Sequence, residues 1–72
     1  MKLKINGEIK TIEHSDKEFF LEVLITNLGY RPQLVVVELN DVIINPKDWI
    51  NTKIKDGDCL EIVTIVGGGS YS

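Results

Sequence analysis

The stretch "SDKEFFLEVLITNLG" at residues 15–29 carries both the start and the stop signals of a helix. Ser15 can cap the N-terminus while Glu18, three residues on, reaches back, and Asp16 and Glu18 suit the positive end of the helix dipole. Phe20, Val23, Leu24 and Leu28 fall at helical spacing, Phe19 and Ile25 widen the apolar stripe, and Gly29 supplies a left-handed stop. The pattern predicts one amphipathic helix from about residue 16 to residue 28.

Strand-like segments flank this helix on both sides. Before it, "KLKIN" alternates with period two, so Leu3 and Ile5 share one face and Lys2 and Lys4 the other. Asn6 and Gly7 suit a tight hairpin turn, and "EIKTI" is the return strand, with a bulge or early end because Ile9 and Ile12 differ in parity. After the helix, "LVVVEL" reads as a central strand covered on both faces. Asn40 and Asp41 form a turn, "VII" is a short partner strand, and Pro46 then ends the pairing because it has no amide hydrogen. "PKDWI" reads as one helical turn with Pro46 first and Trp49 folded onto the core. "DGD" at residues 56–58 is a turn, and "CLEIVTIV" is the final strand, with Leu60 and Ile62 on one face and Val63 and Ile65 on the other.

Two strands, a crossover through a helix, then further strands describe an α+β fold in which a mixed sheet of four to five strands carries one main helix across one face. This layout is the β-grasp of ubiquitin-like proteins. One helix covers one face, which leaves the other open. Val63 and Ile65, joined by Val35 or Val37, are expected to form an exposed apolar patch there, and such a patch marks an interaction site.

Bulk composition narrows the function. The 72 residues make one domain near the lower size limit, where about 60% of the unfolded surface can be buried and a large pocket is not expected. Eleven acidic against eight basic residues give a net charge of -3, with no Lys or Arg stripe to follow a phosphate backbone, so nucleic-acid binding is disfavoured. The mild negative balance suits docking on a basic partner surface. The longest strictly apolar run, "LVVV", is far short of the roughly 20 residues that cross a bilayer. A charged, alternating N-terminus and a single cysteine together predict a cytoplasmic protein.

Few side chains invite chemistry. Cys59 begins the last strand with no basic neighbour in sequence and reads as an inert structural thiol. His14 lies beside the helix cap with no ligand or triad partner near it in sequence, and Asp56 and Asp58 across Gly57 read as turn chemistry rather than a metal site. Glu38 and Glu61 fall mid-strand and face either solvent or a partner. No catalytic residue and no metal ligand is assigned.

The chain instead directs attention to its tail, "VGGGSYS" at residues 66–72. Glycine loses the most backbone freedom on ordering, so three in a row cannot serve stability. Residues 1–66 are read as the β-grasp domain and residues 67–72 as a flexible glycine tail with a Ser-Tyr-Ser extension. Together with "KINGE" and the helix, "VVVELNDVIINPKDW" at residues 35–49 and "IKDGDCLEIVTIVGGG" at residues 54–69 resemble the ThiS family of thiamine-biosynthesis sulfur carriers over nearly the full length.

The resemblance implies a carrier rather than an enzyme. In the family, an ATP-using adenylyltransferase related to ubiquitin-activating enzymes activates the C-terminal glycine carboxylate. Sulfur from a cysteine desulfurase then replaces one oxygen, and the resulting thiocarboxylate gives its sulfur to thiazole synthase. Carried onto this chain, the sulfur-bearing residue is Gly69, and Gly67 and Gly68 thread the partner's active site. The carrier binds no cofactor, since the ATP belongs to the partner. Glycines suit the task because they pass through a narrow channel, and three extended residues reach roughly 10 Å.

The extension departs from the family pattern, because Ser70, Tyr71 and Ser72 follow Gly69 and leave it without a free carboxylate. Either a protease removes residues 70–72, or Ser72 itself is activated, or the chain is not a working carrier as encoded. Rival functions are a sulfur carrier for molybdopterin or tRNA thiolation, and a ubiquitin-like binding module that uses its open face and is never activated.

Overall fold

In the computed structural model, which describes residues 1–13 and 18–65, the first turn follows directly from its sequence. Asn6 and Gly7 take φ of 53° and 84°, the pair of positive angles that a two-residue I′ hairpin needs. Strand β1 (Lys2–Ile5) therefore turns straight back as β2 (Glu8–Thr11), with Ile5 opposite Glu8. Asn40 and Asp41 repeat the device at φ of 51° and 72° between β3 (Val35–Leu39) and β4 (Val42–Ile43). The last strand, β5 (Cys59–Thr64), completes a mixed five-stranded sheet of order β2-β1-β5-β3-β4, with β5 parallel to β1 and antiparallel to β3.

Helix α1 (Leu21–Asn27) crosses one face of this sheet. Its end is a Schellman closure: the Gly29 N–H donates to the Thr26 carbonyl (3.0 Å) and the Tyr30 N–H to the Ile25 carbonyl (3.2 Å), with Gly29 at φ 88°. The start of the helix departs from expectation. It begins at Leu21 rather than near residue 16, its N-cap is Phe20 with no side-chain bond, and Glu18 pairs with Lys53 at the surface (3.0 Å) instead of capping. The cause is a competing partner. The Ile54 N–H donates to the Phe19 carbonyl (2.7 Å) and the Leu21 N–H to the Thr52 carbonyl (2.8 Å), so the chain around Phe20 runs extended beside Lys53 up to the first residue of the helix. The buried stripe is accordingly Leu21, Leu24 and Ile25, with Leu28 packed against it, and Val23 is exposed. Ser15, Asp16 and His14 lie outside the described residues.

The core sits between α1 and the inner face of the sheet. Leu3, Ile5, Val35, Val37, Leu60 and Ile62 point inward and meet the helix stripe, Phe19, Ile54 and Trp49. Trp49 comes from a 3-10 turn (Pro46–Asn51) that Pro46 opens and Asn45 caps, and its indole N–H donates to the Ile44 carbonyl (3.0 Å). That bond lets the largest side chain of the core be buried with its polar atom satisfied. The loop before β5 closes on the start of β1: Asp56 accepts from the Lys2 N–H (2.6 Å) and ties the loop to that strand, while Asp58 accepts from the Lys55 N–H (2.8 Å) within its own turn.

Two asparagine side chains complete the hydrogen bonding of β5. Beyond the end of β1, the Ile62 N–H donates to Asn6 Oδ1 (2.7 Å) and Asn6 Nδ2 donates to the Ile62 carbonyl (3.2 Å). On the other side, the Cys59 N–H donates to Asn40 Oδ1 (3.0 Å), and the Asn40 N–H donates to the Cys59 carbonyl (2.8 Å). Asn6→Ala removes two side-chain bonds and leaves a β-carbon at positive φ, so we expect a loss of about 1.5–3 kcal/mol in urea unfolding. Asn6→Gly, which tolerates the backbone angle, should lose less. Equal losses would show that the backbone angle contributes nothing.

Candidate functional site

Strand β5 sets the two faces of the molecule through its alternation. Leu60 and Ile62 are buried under the helix, while Cys59, Glu61 and Val63 point away from it. Register with the neighbours then decides what surrounds them. Val63 lies opposite Val36, Glu61 opposite Glu38, and Glu38 in turn opposite Ile43. On the other flank, Lys4 of β1 lies opposite Cys59. The face away from α1 thus carries Val36, Val63 and Ile43 at relative exposures of 37%, 60% and 65%. These apolar groups gather toward the end of β5 from which the chain leaves the sheet.

The face also holds a charge arrangement that works against the fold. Glu38 and Glu61 are direct cross-strand neighbours on it, and like charges so placed destabilise a sheet. The ion pairs at Glu8–Lys10 (3.8 Å) and Glu18–Lys53 (3.0 Å) involve other residues and are exposed. Two carboxylates beside an apolar patch match a partner surface that is apolar at its centre and basic at its rim.

Several expected site residues are placed differently. Val35 and Val37 do not join the open patch; they are buried at 4% and 0%, and Val36 faces outward instead. Consequently β3 is covered on one face, not both. Cys59 is no tucked structural thiol but is exposed on the open face. Ile65 is half-buried, its N–H donating to the Leu34 carbonyl (2.6 Å). Gly67, Gly68 and Gly69, together with Ser70, Tyr71 and Ser72, lie outside the described residues.

Sequence reasoning missed a groove at the root of this tail. An apolar recess of about 610 Å³ is walled by Pro32, Val36, Ile43, Ile44, Pro46 and Ile65, with Gln33 and Asn45 supplying its polar atoms. Both prolines were visible in the sequence, but three separate segments, residues 32–36, residues 43–46 and Ile65, build the recess. Among the described residues, no group of three or more His, Cys, Asp or Glu is placed to hold a metal, and no helix is long and apolar enough to cross a membrane.

The comparisons with known proteins agree with this architecture. The model of the ThiS family matches residues 3–69 and so ends at the third glycine of the tail. A crystal structure of the thiamine biosynthesis protein (ThiS) from Geobacter metallireducens superposes with a TM-score of 0.80 at 30% identity, covering 96% of this chain and 100% of that one. The uncharacterized protein ycf40 of Pyropia yezoensis is 37% identical over 67 residues, 93% of this chain and 90% of that protein. A thiazole synthase of Paramagnetospirillum magneticum is 40% identical over 70 residues, which are 97% of this chain but 21% of that protein. The chain thus spans about a fifth of that relative's length. Matched over nearly its whole length by the family model and sharing the fold of a solved ThiS, the chain belongs to the ThiS family.

Proposed function

We propose that the chain is a sulfur carrier of thiamine biosynthesis, acting in the cytoplasm, whose reactive group is the Gly69 carboxylate once the bond to Ser70 is cut. The observation that carries this reading is the family match that ends at Gly69. What supports it is the apolar groove that Ile65 helps to wall, beside the open face that shares Val36 and Ile43 with it, because a carrier that docks by its body needs such a surface.

The chemistry follows from the poor electrophilicity of a carboxylate. Hydrolysis of the Gly69–Ser70 peptide by a protease frees the carboxylate. An adenylyltransferase of the ubiquitin-activating kind then joins a carboxylate oxygen to the α-phosphate of ATP, and pyrophosphate leaves. A persulfide whose outer sulfur originates from a cysteine desulfurase attacks the acyl carbon, and AMP departs with that oxygen. A thiol reductant then cleaves the resulting acyl disulfide, leaving the thiocarboxylate and a mixed disulfide, so a C–S bond replaces a C–O bond. The thiocarboxylate is a nucleophile in its own right and passes its sulfur to thiazole synthase. The relative named thiazole synthase supports that recipient, because a region like this chain forms part of it.

The decisive experiment uses the full chain and a chain ending at Gly69, each incubated with the adenylyltransferase, ATP and a sulfur source. Intact mass should show replacement of oxygen by sulfur in the shorter chain alone. If the shorter chain also stays unchanged, the carrier reading fails, and a ubiquitin-like binding module, favoured by the presence of residues 70–72, takes its place.

Docking makes a second prediction. Val63→Asp should cost about 1 kcal/mol or less of stability, because Val63 is exposed, yet weaken adenylation on the order of tenfold or more. Glu61→Lys separates the roles further. It removes the like-charge neighbour of Glu38 and should raise stability by roughly 0.2–1 kcal/mol while still impairing adenylation. Unchanged adenylation in both variants would exclude this face as the docking surface.

A further inference from the structure

The side-chain amide of Asn6 is held at both ends by one residue of β5: Oδ1 accepts from the Ile62 N–H (2.7 Å) and Nδ2 donates to the Ile62 carbonyl (3.2 Å). Of the five asparagines in the chain (Asn6, Asn27, Asn40, Asn45 and Asn51), only Asn6 is followed by a glycine. We propose that Asn6 is a site of spontaneous deamidation, held back while its amide is bonded to Ile62, and that its conversion unlatches β5 from the first hairpin.

The chemistry needs only the chain and water. The backbone nitrogen of Gly7 gives up its proton and attacks Cγ of Asn6, a new C–N bond closes a cyclic imide, and the Nδ2 group leaves as ammonia. Water then opens the ring. Addition at Cγ breaks the new bond and leaves aspartate, whereas addition at the main-chain carbonyl of Asn6 breaks the original peptide bond and leaves isoaspartate, whose backbone runs through the side chain.

The turn offers this reaction room and access. A side chain at position 7 would shield the attacking nitrogen, and glycine has none. A β-carbon built on Gly7 would meet nothing within 4 Å, so glycine is there for its φ of 84° rather than for packing, and the ring has space to form. Asn6 and Gly7 are both exposed, so water reaches them. The restraint is the bond pair to Ile62, because bringing Cγ to the Gly7 nitrogen takes the amide off β5. Two side-chain hydrogen bonds correspond to a slowing of roughly thirtyfold relative to the unfolded chain. Asn40 supplies a contrast within the same molecule. It also sits at positive φ (51°) and bonds to β5 through the Cys59 N–H (3.0 Å), but the branched side chain of Asp41 follows it.

Both products damage the joint between the first strand and the last. Aspartate tolerates the left-handed angle as asparagine does, but its carboxylate has no proton to donate. The Ile62 carbonyl then loses its donor and faces an anionic oxygen. Isoaspartate also lengthens the backbone of a two-residue turn and so disturbs the hairpin itself. The lost ammonia does not return, so the change runs one way and marks the older molecules in a population.

The test needs neither ATP nor a partner, so its outcome is independent of the carrier reading. The full chain, kept folded in warm, mildly alkaline buffer, should gain the mass that turns an amide into a carboxyl. Peptide mapping should place that gain at Asn6, and an isoaspartate methyltransferase should label part of the product. Asp56, which precedes Gly57, can also form isoaspartate, but without a change of mass, so the map separates the two sites. In urea the conversion of Asn6 should run roughly thirtyfold faster. Gly7→Ala, compared in urea so that folding does not enter, should slow it. Asn6→Asp should lower the urea midpoint of the folded chain. Conversion at Asn40 as fast as at Asn6, equal rates for Asn6 in the folded chain and in urea, or an unchanged midpoint in Asn6→Asp would each overturn the proposal.

Discussion

Hydrogen bonding on both sides of β5, parallel to β1 and antiparallel to β3, joins the beginning of the chain to its end. Without it the first hairpin would be an isolated pair of strands, and such pairs are marginal in water. The pairing also aims Leu60 and Ile62 into the core between residues from both halves of the molecule. Asn6 and Asn40 reinforce it where regular strand partners stop, each using a side-chain amide to continue a backbone ladder. Their positive φ angles make this possible, since a turn conformation brings the side chain back across the strand end.

A small chain cannot cover both faces of such a sheet. One short helix and one 3-10 turn bury the inner face, and the outer face of β5 and β3 has no further element to meet among the described residues. The like-charged Glu38 and Glu61 and the exposed Val36, Val63 and Ile43 are costs that folding alone does not demand. Residues that lower stability while improving a surface are a common mark of function.

Where local chemistry decided the structure, the sequence could be read. Asn6 with Gly7, Asn40 with Asp41, and Gly29 each dictated a turn or stop by their backbone preferences. The helix start could not be read, because "FFL" at residues 19–21 satisfies a helical stripe and an extended segment equally well, and its deciding partner at residues 52–54 is remote in sequence. Likewise "LVVVEL" offers no asymmetry, so only the register of Val36 against Val63 reveals which valines face outward. The same alternation exposes Cys59 at the start of β5. The groove was illegible because Pro32, Ile43, Pro46 and Ile65 meet only in the folded chain.

The pairing of the first strand with the last also governs when the molecule comes into existence. Contacts such as Lys2 with Asp56 and Asn6 with Ile62 span 54 and 56 residues, so loop closure over most of the chain must precede them. During synthesis the sheet cannot close until β5 has emerged, and β5 is also the strand that presents the outer face and leads to the glycines. A chain that stops before β5 lacks the strand that joins β1 to β3, so the two halves of the sheet have nothing to hold them together.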